Sequence, residues 1–176
     1  MSHCIRESVD AVVCNSAIWK TNTPVTFDAV RRVLRPGGRF GFNIGGGFAG
    51  VTHPDEEKAR TGPSLTALIR EVAARDYGYT PPRLALGPPK LPLELVERQL
   101  RAAGFTVVDA DVVAHRSTME EKRAWLSVPL FARPEGAFTH QQRMDILEKA
   151  YVQVDPHQPN VTSWLVVVAE ALPRDG

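Results

Sequence analysis

Hydrophobic and polar positions follow two rhythms along this chain. Val9-Asp10-Ala11-Val12-Val13-Cys14 is a short, β-branched, nearly continuous apolar run closed by Asn15-Ser16. That is the pattern of a strand buried on both faces of a parallel sheet. The period then changes: Phe27, Val30 and Leu34 share one helical face, with Arg31, Arg32 and Arg35 on the other. Thr23 reads as the N-cap, Pro24 as the first helical residue, and Pro36-Gly37-Gly38 as the stop. Arg39-Phe40-Gly41-Phe42-Asn43-Ile44 returns to a strand pattern and runs into Gly45-Gly46-Gly47. Strand, helix and strand make a βαβ unit, whose crossover is expected to be right-handed.

Residues 45–63 are rich in Gly and Pro and read as one loop. It follows the C-terminal end of a parallel strand, where open α/β sheets place ligands. Ser64 caps a helix with Leu65, Leu68, Ile69 and Val72 on its apolar face, followed by an irregular stretch through Tyr77, Tyr79 and Leu86-Gly87-Pro88-Pro89. Pro92 opens, and Gly104 closes, a helix carrying Leu93, Val96, Leu100 and Ala103 inward. Alternation from Val108 to His115 predicts a strand. Thr118-Met119-Glu120-Glu121 and Thr139-His140-Gln141-Gln142 are capping boxes for two further helices. The second carries a stripe of Met144, Leu147, Tyr151 and Val154, read as core packing. Ser127–Phe131 is an apolar, Pro-marked segment of loop or cover, and the run from Ser163 to Ala171 is a strongly apolar closing strand.

Composition narrows the class. The 176 residues suffice for one domain with a sizeable core, and a net charge of +1 supplies no field that would favour nucleic acid or an anionic membrane. The expectation is a cytoplasmic protein, without a signal peptide or a membrane span. Cys4 and Cys14 form neither a disulfide framework nor a zinc site, and Cys14 is read as a packing residue. No metal-ligand spacing links the histidines, and no metal is expected.

The pattern VDAVVCNSAIW followed by F, VRRVLRPGGRFGFNI resembles the fourth strand, following helix and fifth strand of class I S-adenosylmethionine-dependent methyltransferases. The Arg-Val-Leu-Arg-Pro-Gly-Gly-Arg turn is the most specific part. Ala102-Ala103-Gly104-Phe105 is similar to the family's entry into its sixth strand, and the apolar closing run suits its antiparallel seventh. The resemblance implies an α/β, truncated Rossmann-like methyltransferase sheet, with family strands 4, 5, 7 and 6 and helices on both faces. It implies a single half-domain over 1–176, with substrate-cover insertions near 47–90 and 116–138. The family holds its cofactor on a Gly-rich loop after its first strand. Met1–Glu7 has no room for that unit, which needs about 30 residues. The expectation is therefore the substrate-side half of a split small-molecule methyltransferase, binding S-adenosylmethionine only with a complementary chain. Self-association through the Val9–Asn15 edge strand is the other way to cover the exposed edge. A non-catalytic methyltransferase-like subunit that stabilises a partner, or a homodimer with a repurposed pocket, is the alternative.

In the family, residues after the fourth strand lie beside the cofactor's methionine part. Asn15 and Ser16 are thus the cofactor-binding candidates, against a plain turn. Trp19, Asn43, Phe48 and Tyr77 are substrate-binding candidates, against ordinary loop anchoring or, for Asn43, a hydrogen bond to neighbouring backbone. The segment lacks the Asn-Pro-Pro-Tyr type of motif, which favours O- or C-methylation. Methyl transfer needs alignment above all, and a base only where the nucleophile must lose a proton. No catalytic base is assigned. His53 and His140 are candidates on presumed cover segments, against solvated surface histidines.

Overall fold

The computed structural model describes residues 7–81 and 91–173. Cys4 and the Leu86–Pro89 part of the second irregular stretch lie outside them. The fold is α/β, with a mixed four-stranded sheet in the order β1-β2-β4-β3. The chain divides into two compact units, the first of Met1–His53, Gly87–Ala114 and Thr162–Gly176, the second of Pro54–Leu86 and His115–Val161.

The first unit holds the βαβ motif. β1 (Val9–Cys14) runs parallel to β2 (Leu34–Gly45), joined through a 3₁₀ turn at Ile18–Lys20 and helix α1 (Thr23–Val33). The helix begins one residue earlier than the sequence pattern predicts. Asn22 is the N-cap, its side chain accepting from the Val25 N–H, and Thr23 is the first helical residue. Pro24 still falls in the first turn, where its missing N–H costs nothing. The helix ends at Val33, so Leu34, expected on its apolar face, and Pro36-Gly37-Gly38, expected as its stop, already belong to β2, because the strand pairs with β1 from Leu34 on. Gly37 takes φ +77° within it, a conformation open to glycine. The pairing register slips there, between Val9 opposite Leu34 and Ala11 opposite Arg39.

β4 (Asn160–Ala171) lies antiparallel beside β2, pairing Phe40 with Ala169, Phe42 with Val167 and Ile44 with Leu165. These side chains share one face, and all are at most 3% exposed. Phe27 of α1, with Val96 and Leu100 of α5 (Leu93–Ala102), packs into the same cluster. Phe40 is central, with ring centroids 6.0 Å from Phe27, 4.8 Å from Phe42 and 6.1 Å from Phe105. Phe105 opens β3 (Phe105–Ser117). Thr23 on α1 donates to Gln99 on α5 at 2.7 Å, tying the two helices.

Arg31 departs from its expected place on the polar face of α1. It is only 7% exposed, and its guanidinium donates to the Leu172 carbonyl while its stem passes Gly104. Arg31 follows Phe27 by one helical turn, so it lies on the inward stripe, and the carbonyl offsets its burial.

The opposite face of the sheet is more open. Val13 is paired with Gly41, Gly41 with Val168, and Asn43 with Val166. Gly41, Asn43, Val166 and Val168 are half-buried, and Val13 is 79% exposed. The expectation that β1 is buried on both faces therefore fails. Val12 and Cys14 pack against the core, whereas Val13 faces outward.

The run 45–63, expected as loop, contains two short helices, α2 (Gly46–Ala49) and α3 (Pro54–Ala59). Pro54 followed by Asp55-Glu56-Glu57 is itself a helix-start signal, because acidic groups in a first turn oppose the helix dipole favourably. In the second unit, α4 (Leu65–Tyr77) starts at Ser64 as expected and packs on α7 (His140–Tyr151), which also meets α6 (Met119–Ser127). Both capping boxes form. Leu65, Ile69, Val72, Ile146, Leu147 and Ala150 make this unit's own core.

Candidate functional site

Parallel strands carry their ligand-facing groups at their C-terminal ends. Here the ends of β1 and β2 bring together three polar residues from two distant parts of the sequence. Cys14 pairs with Phe42, so Asn15 and Asn43 are neighbours. The Asn43 Oδ1 accepts from the Ser16 backbone N–H at 2.6 Å, and the Asn43 Nδ2 donates to the Asn15 Oδ1 at 2.9 Å. The Ser16 hydroxyl donates to the same Asn15 oxygen at 3.3 Å. Ser16 has φ +54°, the left-handed region that a non-glycine residue rarely enters. Such a conformation costs on the order of 1 kcal/mol and persists only where its surroundings hold it. The Asn43 side chain supplies that hold.

Three aromatic residues stand beside this clamp in the same unit. Trp19, in the 3₁₀ turn after β1, stacks on Phe48 of α2 at 5.0 Å and meets Trp164 of β4 at 6.1 Å. Gly45 lies beneath them, and a Cβ there would sit 3.6 Å from Phe48 and 3.7 Å from Trp164. At Gly46 the approach is closer still, since a Cβ would meet the Val51 carbonyl at 2.5 Å, so only glycine fits. The Trp19 Nε1 is buried without a hydrogen-bond partner. The rings touch one another, so they form a packed wall and leave no cage between them.

Five of the six expected substrate and cofactor residues, Asn15, Ser16, Asn43, Trp19 and Phe48, thus belong to one unit. His53 ends that unit, half-buried, with its backbone N–H donated to the Ser163 hydroxyl at 2.7 Å. Trp164 and Ser163 escape sequence reading, because they lie inside an apolar strand pattern and only its register opposite Gly45 reveals their place.

Tyr77 and His140 belong to the second unit. The Tyr77 hydroxyl donates to Asp145 at 2.7 Å, its ring meets Phe138 edge-on at 6.0 Å, and Lys149 stands 5.8 Å above it. The Asp145 hydrogen bond raises the Tyr77 pKa above its ordinary value, and the same bond, helped by Lys149, lowers that of Asp145. His140 is exposed at the first position of α7. Among the described residues, no group of three His, Cys, Asp or Glu is placed to hold a metal ion, and no helix is long and apolar enough to cross a membrane.

No family model matches the chain, and no curated protein does. Solved structures of similar fold include the cyclase SpnF, 16% identical, with 96% of this chain covering 53% of that one at a TM-score of 0.46. A Bacillus halodurans protein described as a putative methyltransferase is 15% identical, over 98% of this chain and 68% of that one, at 0.45. A Haemonchus contortus phosphoethanolamine N-methyltransferase, solved with phosphomonomethylethanolamine and S-adenosylhomocysteine, is 17% identical, over 96% of this chain and 34% of that one, at 0.42. The chain thus spans about half the length of the cyclase and a third of the Haemonchus enzyme. Likenesses at this level fix neither activity nor ligand.

Proposed function

We propose that this chain is the substrate-side half of a class I S-adenosylmethionine-dependent methyltransferase acting on a small molecule, with a cofactor site completed by a complementary segment. One observation carries the reading. The sheet order β1-β2-β4-β3, with β4 antiparallel beside β2, supports it, being the order 4-5-7-6 that the resemblance implies. The RVLRPGGR segment runs from the last residues of α1 into β2, which supports the reading further. In such a sheet β1 has a neighbour on its far side; among the described residues no strand lies there, and exposed Val13 leaves one face of β1 uncovered, which supports another segment lying against it.

The neutral polar clamp of Asn15, Ser16 and Asn43 suits the polar methionine part of the cofactor. Asn15 and Ser16 are assigned to it, and Trp19, Asn43 and Phe48 to the substrate side. S-adenosylmethionine, when bound, supplies an electrophilic methyl group. The work left to these residues is to align a nucleophile and shed water around it. His53, in the same unit as these residues, is the candidate base. A self-paired form through β1 is the second reading, favoured by the same apolar edge.

Titration of S-adenosylhomocysteine into the purified chain, with its mass fixed by light scattering, tests the proposal. No binding by a monomer is expected. Micromolar binding by a monomer would overturn the need for a complementary segment, and binding by a dimer alone would favour self-pairing.

A further inference from the structure

We infer that Asn43 is a positioning residue that sets the hydrogen-bonding polarity of Asn15, so that this site selects a ligand atom that accepts a hydrogen bond. The inference rests on the reading that the β1 and β2 ends form a ligand site. The Ser16 backbone N–H is a donor only, and it points at the Asn43 side chain at 2.6 Å. The Asn43 atom facing it must therefore be the carbonyl oxygen. Its other terminal atom is then the NH₂, which donates at 2.9 Å to Asn15. The Asn15 atom receiving that bond must in turn be the oxygen, and the Ser16 hydroxyl donates to the same atom.

One backbone N–H thus fixes both amides in series. The Asn15 Nδ2 is left pointing away from the relay, on an exposed residue, with no hydrogen bond among the described residues. It offers protons and no lone pair. An oxygen, or a ring nitrogen without a proton, satisfies it, whereas an amine or ring N–H meets donor with donor. Selection at this position runs against N–H groups, although nothing in the sequence around Asn15 spells that out. The polarity comes from a residue on the neighbouring strand, 28 positions away.

Asn43→Asp tests the relay. An aspartate keeps the acceptor for Ser16 but has no proton for Asn15, so the Asn15 amide turns and presents its oxygen outward. The probes are pyridine N-oxide, a neutral planar acceptor, and pyrrole, a neutral planar donor of similar size. Both are titrated against the purified chain while the Ser16 backbone amide, present in every variant, and the Asn15 side-chain amide, where asparagine is kept, are followed by ¹⁵N–¹H correlation spectra. The wild type is expected to prefer pyridine N-oxide by roughly threefold to tenfold, the range of one net hydrogen bond. Asn43→Asp is expected to reverse that order. Asn15→Asp, which accepts from Asn43 with one oxygen and presents the other, gives a second variant with the same loss of acceptor preference should the first fail to fold. A wild-type preference for pyrrole, an unchanged preference in both variants, or no perturbation of Asn15 by either probe overturns the assignment. S-adenosylhomocysteine binding is scored separately and bears only on the methyltransferase reading, so the two fail independently.

Discussion

β1 and β3 bound the same sheet, and each leaves one side without a strand among the described residues, yet their sequences treat that side in opposite ways. β3 interleaves its exposed Val108 and Val113, at 44% and 38%, with Asp109, Asp111, His115 and Arg116. Charges along an edge discourage further pairing, because a docking strand would have to desolvate them. β1 carries one charged residue, Asp10, which pairs with Arg35 at 2.6 Å, and its Val13 is 79% exposed. The first edge is built to end the sheet in water. The second has the composition of an interior strand and the exposure of an outer one. Burial in the isolated chain and burial encoded in the sequence thus need not coincide, and the proposed complementary segment would close that gap.

Both edges rest on one packed apolar face, with Phe40 at its centre. Phe40→Ala empties a fully buried position touching three other rings and should cost about 3–5 kcal/mol in urea unfolding. A loss below about 1 kcal/mol would mean that the sheet is not packed as described. Arg31→Ala strips a buried guanidinium from the Leu172 carbonyl and leaves a hole beside Gly104. About 1–3 kcal/mol should be lost, enough to separate a structural arginine from a solvated one by the same measurement.

The edges themselves give the next contrast. Val13→Lys should leave the stability of the isolated chain within about 0.5 kcal/mol, since the side chain faces solvent, yet weaken any assembly that covers this face of β1. Val113→Lys on β3 should change neither. Equal loss of assembly in both variants, read by light scattering, would erase the distinction between the edges.

The smallest effect lies in the second unit and serves as a control confined to α4 and α7. Asp145 is held below the ordinary aspartate value near 3.8, first by the Tyr77 hydroxyl and then by Lys149. A depressed folded pKa gives stability that is present above the unfolded value and lost as pH falls through the folded one. Acid titration should therefore remove this contribution below about pH 4. Tyr77→Phe should flatten that part of the profile while leaving the β1 edge unaffected.

Much of this fold was legible in the chain. The βαβ unit, both capping boxes and the helix from Ser64 follow from local patterns, and local patterns suffice where caps and periods agree. Arg31 was misplaced because a charged residue near the border of a helix stripe can turn either way, and a carbonyl 141 residues away decides it. Asn15 and Ser16 stand out through the family resemblance, and Asn43 as a polar residue near the end of an apolar strand. Their union was not legible, since it depends on register: Cys14 opposite Phe42 sets two asparagines side by side. Trp164 was hidden for the same reason.

The most direct test is hydrogen–deuterium exchange of β1 and β3 in two forms of the protein, the isolated chain and whichever assembled form binds S-adenosylhomocysteine. The outward-facing amides of an unpaired edge exchange quickly, and those covered by a strand do not. The account predicts that β1 gains at least about tenfold protection on assembly while β3 changes little. β1 amides that exchange as fast in the cofactor-binding form as in the isolated chain would contradict it.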